Sequence, residues 1–130
     1  MDWVSRYIGK PWEPGACGPE AFDCYGLVRA VYRDRYGIQM PALDASAVSS
    51  LACARAMRDY GDYGPWERVE TAGEWDVIQM GHARRPHHVG IFVGGRILHS
   101  VMGSGVVMQS LASLRMHGWN VLATYRRRAE

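Results

Sequence analysis

A cysteine at the start of a predicted helix is the residue best placed for nucleophilic chemistry. Residues 20–32 read EAFDCYGLVRAVY, in which Asp23 can cap the helix and Cys24 falls in its first turn. Unpaired backbone N–H groups and the positive end of the helix dipole lower the pKa of a thiol there, and the same N–H groups can hold an oxyanion. A cysteine beside an apolar helical stripe is more often an inert core residue. The interpretation of Cys24 as a nucleophile therefore requires a nearby base.

The other two cysteines lack this setting. Cys17 lies in a loop rich in glycine and proline, and Cys53 lies in the middle of a second predicted helix. Neither position offers the N–H groups of a helix start to a thiolate, so we interpret both as structural residues. Three cysteines, an odd number without a CxxC pair, also argue against a disulfide framework.

Two histidines in one predicted hairpin could supply the base and its orienting partner. In the sequence HHVGIFVGGRILHS, a two-residue Gly-Gly turn pairs Val93 with Arg96. Continuing that pairing places His88 and His99 on one face as diagonal neighbours, with Cβ atoms up to roughly 7 Å apart. His88 could then take the thiol proton through one ring nitrogen, while His99 binds the other ring nitrogen and fixes the tautomer.

This arrangement depends on the strand register. A three-residue turn would shift the pairing by one and put His88 and His99 on opposite faces. His87 alternates to the other side of its strand, so we expect it to be the weaker base, although a bulge at Pro86 would exchange the roles of His87 and His88. Single histidines in strands are mostly structural or exposed, so the hypothesis needs the pair rather than either residue alone.

The elements that must position these residues divide the chain into a helical first half and a strand-rich second half. Apolar spacing and capping residues predict three helices, over residues 2–7, 23–36 and 44–61. Five short β-branched or aromatic runs then predict a meandering antiparallel sheet: EWDVIQM, HVGIFV, RILHS, GVVMQSL and NVLATYR. The predicted fold class is α+β, with the N-terminal helices packed on the antiparallel β-sheet.

Length and charge limit the class of protein. The 130 residues, 48% hydrophobic, can build one core, so we expect a single domain over residues 1–130. A net charge of +2 does not call for nucleic acid or an anionic membrane as a partner. No apolar run approaches the roughly 18 residues of a membrane span. The first residues, MDWVSRYIGKPW, lack the pattern of a signal peptide, so we expect cytoplasmic synthesis without one.

A metal site is the weaker interpretation of the histidines. Four of them could be combined with Cys24 in a zinc site: His82, His87, His88 and His99. No pair among them has an i, i+4 spacing, and the cysteines form no CxxC knuckle. We therefore expect neither a metal nor another cofactor.

Three segments resemble, in order and spacing, the NlpC-type cysteine peptidases of bacterial cell walls: GKPWEPGACGPEAFDCYGLV, EWDVIQM and HHVGIFVGGRILHS. The combination of FDCxGLV with HVGI and LHS is specific, and the match covers most of the chain. The resemblance implies a compact papain-like fold and a triad of Cys24, His88 and His99. It also implies hydrolysis of the stem peptides of peptidoglycan, commonly at the bond from γ-D-glutamate to a diamino acid.

Short chains of this family without wall-binding repeats resemble the tail-associated peptidases that phages and prophages encode. This resemblance implies delivery to the cell wall on a phage particle, with tail-tip proteins as partners and the virion as the location. Two alternatives stay open. The protein could be a structural tail-assembly protein with dispensable activity, or a papain-like amidase or acyltransferase on another substrate.

Three residues around the predicted nucleophile are candidate substrate contacts. Tyr25 stands where the family usually has serine, and Trp12 stands where it often has tyrosine. Both could line the pocket for the stem peptide, although Tyr25 could instead pack into the core. Asp23 has two interpretations, a helix cap by its chemistry and, by the resemblance, a residue close to the bound peptide. We favour the cap.

Overall fold

An antiparallel sheet and one long helix form most of the structure, a computed structural model that describes residues 3–40, 66–84 and 86–127. In chain order the elements are a 3₁₀ turn (Val4–Arg6), α1 (Cys24–Tyr36), β1 (Trp66–Val69), β2 (Val77–Gly81), β3 (His88–Val93), β4 (Arg96–Val101), β5 (Gly105–Gln109), α2 (Leu111–Met116) and β6 (Asn120–Arg127). The strands lie in the order β1-β6-β2-β3-β4-β5, and all neighbours are antiparallel. Within these ranges, none of the helices combines the length and the hydropathy needed to cross a membrane.

Helix α1 begins and ends where the sequence predicts. Asp23 has an extended backbone, and its side chain accepts a hydrogen bond from the Gly26 N–H, which makes it the N-cap. Gly37 ends the helix at φ 67°, and its N–H donates to the Arg33 carbonyl. One face of the helix is buried and packs against β3 and β4: Leu27, Val28, Ala30, Val31 and Tyr32.

Strands β3 and β4 form the hairpin that the Gly-Gly turn predicts. Val93 pairs with Arg96, and Ile91 pairs with Leu98. This is the register of a two-residue turn, and the alternative with a three-residue turn is excluded. The structure therefore places the two hairpin histidines on one face, as predicted.

Several elements differ from the prediction. β1 has no counterpart among the predicted strands and pairs with β6 at the edge of the sheet. The run 105–111 is predicted as a strand throughout, but β5 ends at Gln109, and Ser110 caps α2 by accepting a hydrogen bond from the Ser113 N–H. The predicted N-terminal helix is only a 3₁₀ turn. The helix predicted over residues 44–61 lies outside the described residues.

Two apolar clusters hold the layers together. The first joins α1 to the sheet and includes Leu27, Val28, Val31, Ile91, Val93, Leu98 and Val106. The second joins the sheet to α2 and to the residues before β6, and consists of Ile78, Met80, Ile97, Leu114 and Trp119. Side chains alternate along a strand, so Leu98 belongs to the first cluster and its neighbour Ile97 to the second.

Candidate active site

His88 and His99 are joined by a hydrogen bond between their rings. His88 Nε2 lies 2.7 Å from His99 Nδ1, and the ring centroids are 5.0 Å apart at 73°. Both side chains are buried, with 5% and 0% of their surfaces exposed. The bond occupies Nε2 of His88 and leaves Nδ1 as the ring nitrogen for another partner. The contact predicted from the hairpin register is confirmed.

Burial makes both histidines weak bases. Desolvation lowers the pKa of His88 well below its usual range, and the neighbouring charges of His99, His87 and His82 act in the same direction. Desolvation also lowers the pKa of His99, although its hydrogen bond to Gln109 opposes this. Both rings are therefore neutral at pH 7, and a neutral imidazole can accept a proton.

Glycine at position 90 allows the hairpin strands to approach beside this pair. A Cβ added to Gly90 would lie 2.7 Å from Ile97 Cγ2, 2.9 Å from the Leu98 carbonyl oxygen and 3.0 Å from His99 Cβ. A backbone carbonyl cannot move aside cheaply, so a larger residue would push the strands apart. The close approach fixes the position of His99 relative to β3.

Trp119 covers one face of the His88 ring. The two rings stack with centroids 4.4 Å apart and an interplanar angle of 21°. His82 stacks on Trp119 as well, at 3.8 Å and 27°, and His82 Nδ1 donates to the Gly118 carbonyl over 3.0 Å. No sequence pattern points to Trp119, because it lies between α2 and β6 and outside any periodic run. Its indole excludes water from His88 and restricts rotation of the ring.

Gln109 on β5 is the second partner of His99. His99 Nε2 lies 2.6 Å from Gln109 Oε1, and Gln109 Nε2 lies 2.9 Å from Ser113 Oγ. No sequence motif points to Gln109 either. In the sheet His99 pairs with Val107, so alternation along β5 places Gln109 on the same face as His99. This signal can be read only when the register of β4 and β5 is known.

Cys24 is the first residue of α1, as predicted. It is half-buried, as Cys17 is, and neither cysteine forms a disulfide. Helix α1 packs against β3 and β4, the strands that carry the two histidines. A buried hydrogen bond of 2.7 Å from Ser100 Oγ to the Phe22 carbonyl also ties β4 to the residue two positions before Cys24. The structure thus joins the histidines directly and connects Cys24 to their strands by packing.

Asp23 uses both carboxylate oxygens to hold the loop that precedes the helix. Oδ1 accepts the Gly26 N–H at 2.6 Å, and Oδ2 accepts the Gly15 N–H at 2.8 Å. The loop lies so close to the helix that a Cβ on Gly26 would be 1.9 Å from the Ala16 carbonyl oxygen. These contacts confirm Asp23 as the helix cap, and contact with a substrate stays a prediction.

The two aromatic residues predicted to line the pocket are both half-buried. Tyr25 packs against the first apolar cluster, which is the alternative that the sequence leaves open. Trp12 lies in the loop before α1. Substrate contact by either residue stays a prediction.

His87 lies beside the histidine pair rather than within it. The His87 Nε2 atom accepts a hydrogen bond of 3.3 Å from the His82 N–H, and desolvation lowers the pKa of the His87 ring. Among the side chains that the structure describes, no three or more histidines, cysteines, aspartates or glutamates are grouped so that they could hold a metal ion.

One known family matches most of the chain. The model of the NlpC/P60 family matches residues 9–125. The chain therefore belongs to the NlpC/P60 family, and the family resemblance read from its motifs is confirmed.

Two curated relatives are endopeptidases by name. A Haemophilus influenzae protein named "Probable endopeptidase" is 28% identical over 109 residues, which cover 82% of this chain and 60% of that protein. The Escherichia coli K12 "Murein DD-endopeptidase MepH" is 31% identical over 103 residues, which cover 77% of this chain and 34% of that protein. The chain thus spans about a third to three fifths of the length of these two relatives.

Solved structures share the fold. NlpC2 from Trichomonas vaginalis has a TM-score of 0.69 at 23% identity, over 97% of this chain and 44% of that one. The NlpC/p60 domain of the peptidoglycan hydrolase SagA has a TM-score of 0.61 at 22% identity, over 97% and 92%. The predicted α+β, papain-like fold, with helix packed on an antiparallel sheet, is confirmed.

Proposed function

We propose that this protein is a cysteine endopeptidase that hydrolyses the stem peptides of peptidoglycan. The observation that carries the proposal is the ring-to-ring hydrogen bond between His88 and His99, in an NlpC/P60 domain whose long helix begins at Cys24. MepH and a second Escherichia coli K12 relative, named "Murein DD-endopeptidase MepS/Murein LD-carboxypeptidase", both have names that refer to murein, which supports this polymer as the substrate.

In the first half of the reaction, Cys24 is the nucleophile and His88 the base. His88 Nδ1 accepts the thiol proton, and the thiolate attacks the carbonyl carbon of the amide. Backbone N–H groups at the start of α1, including that of Cys24, stabilise the oxyanion. His88 then donates its proton to the leaving amine as the C–N bond breaks, which leaves a thioester on Cys24.

In the second half, water replaces the amine. His88 Nδ1 takes a proton from the water, the oxygen attacks the thioester carbon, and the C–S bond breaks. The acid is released and the proton returns to Cys24. His99 Nδ1 accepts the His88 Nε2–H in both halves and so holds the ring in one orientation. The positive charge that burial disfavours on His88 is offset while the Cys24 thiolate lies beside it.

Two bonds of the stem peptide are candidates for the cleavage site. The motif resemblance favours the bond from γ-D-glutamate to the diamino acid. The names of the two Escherichia coli relatives favour a DD-endopeptidase cut instead, although MepS is also named a murein LD-carboxypeptidase. The masses of released fragments distinguish the two bonds, because each cut leaves different residues on the glycan strand.

Digestion of purified sacculi tests the activity. Wild-type protein is expected to release soluble fragments that mass spectrometry identifies as products of stem-peptide cleavage, and Cys24→Ala is expected to release none. Cys17→Ala is the matched control, because Cys17 is also a half-buried free cysteine. This variant should keep full activity. Equal release by Cys24→Ala, or no release by the wild type from sacculi with different stem peptides, would overturn the proposal.

We also propose that a phage tail carries this protein, with tail-tip proteins as partners and the virion as its location. It is supported by the resemblance to short tail-associated peptidases. Mass spectrometry of particles purified after prophage induction should find the protein at a constant ratio to tail proteins. Its presence only in the soluble lysate would contradict carriage.

A further inference from the structure

We propose that Gln109 is a positioning residue that sets the tautomers of both buried histidines, so that His88 presents an unprotonated Nδ1. The catalytic consequence of this inference rests on the proposed function, but the tautomers themselves do not. The observation behind it is a continuous row of polar contacts that runs from β3 to α2: His88, His99, Gln109 and Ser113.

The proton positions follow from the acceptor at Gln109. A carbonyl oxygen only accepts, and Gln109 Oε1 lies 2.6 Å from His99 Nε2, so this nitrogen carries a proton. A neutral imidazole has one protonated nitrogen, so His99 Nδ1 is an acceptor. His88 Nε2, 2.7 Å from it, must then donate, and His88 Nδ1 keeps its lone pair.

The other end of the amide contacts α2. Gln109 Nε2 lies 2.9 Å from Ser113 Oγ, which can accept its hydrogen. The structure thus places the carbonyl oxygen toward His99 and the NH₂ group toward Ser113, and measuring the tautomers tests this orientation.

A reversed amide would reverse the whole row of protons. The amide NH₂ would donate to His99 Nε2, His99 Nδ1 would donate to His88, and the His88 proton would move to Nδ1. That nitrogen could no longer accept the Cys24 proton. Because His99 is 0% exposed, water does not readily replace the amide as its partner, so the orientation of Gln109 biases the row toward one of the two states.

The row is also suited to the charged form of His88. When His88 Nδ1 accepts a proton, the ring donates from both nitrogens, and His99 Nδ1 is already an acceptor. Three further histidines lie near the row. His82 and His87 lower the pKa of His88, and His117 Nδ1 lies 3.4 Å from Gln109 Nε2 while it donates to the Ser113 carbonyl at 2.8 Å.

Nitrogen-15 NMR of the full-length protein reads these tautomers directly. The measurement uses Cys24→Ala at mildly alkaline pH, so that no thiolate perturbs His88. Protonated and unprotonated ring nitrogens have well-separated shifts. His→Gln variants at positions 82, 87 and 117 identify the signals of those three histidines and leave the signals of His88 and His99. We expect both His88 and His99 to be protonated on Nε2 only. Protonation of His99 on Nδ1 would overturn the inference.

Variants of Gln109 test its role. Gln109→Met keeps the size but removes both polar groups; it should mix the tautomers and lower the turnover of sacculi about 2-fold or more, because only the fraction of His88 with an unprotonated Nδ1 is competent. Gln109→Glu keeps an acceptor and should restore the Nε2-protonated form of His99. Unchanged tautomers and full turnover in Gln109→Met would overturn the inference.

Ser113→Ala keeps the test decisive if Gln109→Met fails to fold. The Ser113 hydroxyl holds the amide, whereas the helix cap uses only the Ser113 N–H, so this variant should fold and still shift the tautomers. Failure of the two proposals gives different results. Expected tautomers without hydrolysis would overturn the proposed function alone, and hydrolysis with Nδ1-protonated His99 would overturn this inference alone.

Discussion

Trp119 and His88 stack with their ring centroids 4.4 Å apart and their planes 21° from parallel. Trp119 itself is buried, with 8% of its surface exposed. The indole keeps water from one face of the imidazole, and desolvation is the largest cause of the lowered His88 pKa. Trp119 therefore helps to keep His88 neutral at pH 7, the form in which it can accept a proton.

Replacing Trp119 should raise the pKa of His88. In Trp119→Ala, water would reach the ring and solvate the imidazolium, while the lost packing would lower the free energy of unfolding by about 3–5 kcal/mol. Trp119→Phe keeps an aromatic face and should keep the pKa closer to that of the wild type. NMR titration of His88 measures both variants. A pKa that stays unchanged in Trp119→Ala would show that the indole does not shield the ring.

The histidine pair should make the folded state less stable in acid. The pKa of an unfolded histidine is about 6.5, and burial lowers those of His88 and His99 in the folded state. At about pH 7.5 and above, both states are neutral and this contribution to stability is complete. As the pH falls below that value, the unfolded chain binds protons that the folded chain does not bind, so the free energy of unfolding decreases.

Urea unfolding between about pH 5 and pH 7.5 measures this effect. Each histidine should contribute up to about 1.4 kcal/mol per pH unit. His88→Gln removes one titrating group and should flatten the dependence by that histidine's share. The carboxyl group of Asp34, whose pKa is lowered, titrates below this range and does not disturb the comparison. A variant with the same slope as the wild type would contradict the assignment to His88.

The histidine pair could be predicted because its determinants are local. A Gly-Gly turn sets the hairpin register, and the register alone places His88 beside His99. The start of α1 is local as well, since Asp23 bonds to an N–H only three residues away. Each of these features can be read within a stretch of about a dozen residues.

Gln109, Trp119 and β1 are harder to predict from the sequence. Gln109 is only ten residues from His99, but it meets the ring through the β4–β5 register, and the connection between these strands has no Gly-Gly pair to specify that register. Trp119 reaches His88 from the far side of α2, across 31 positions of sequence. Strand β1 has only four residues, of which Trp66 alone is buried, so its sequence shows no clear strand pattern. Pairing with β6 gives these residues their strand conformation.

Cys24 should react with iodoacetamide faster than Cys17 at pH 7. Both thiols are half-buried, so exposure alone predicts similar rates. Only Cys24 begins a helix, where backbone N–H groups stabilise the thiolate. Peptide mapping after brief labelling measures each site, including Cys53. Equal rates at Cys17 and Cys24 in the folded protein would argue strongly against a nucleophilic Cys24.

Gly26→Ala should destabilise the protein more than Gly37→Ala, although both replace glycines at the ends of α1. At position 26 the new Cβ would lie 1.9 Å from the Ala16 carbonyl oxygen, and a backbone atom must move. We expect a loss of about 3 kcal/mol or more. Gly37 has open space around it and φ 67°, so only conformational strain of about 1–2 kcal/mol is expected there. Urea unfolding of the two variants compares these costs, and a larger loss at Gly37 would contradict the close approach of the loop to the helix.

Tyr25→Ser should change which stem peptides are cleaved while leaving the labelling rate of Cys24 nearly unchanged. Tyr25 follows the proposed nucleophile and is half-buried, so its ring can both touch the first apolar cluster and border the pocket. By the proposed mechanism, the reactivity of Cys24 depends on the helix start and on His88, both of which the substitution leaves in place. Cleavage rates across a panel of synthetic stem peptides, measured beside iodoacetamide labelling, separate the two effects. If the order of preference stays the same and only the unfolding midpoint falls, Tyr25 serves the core and not the pocket.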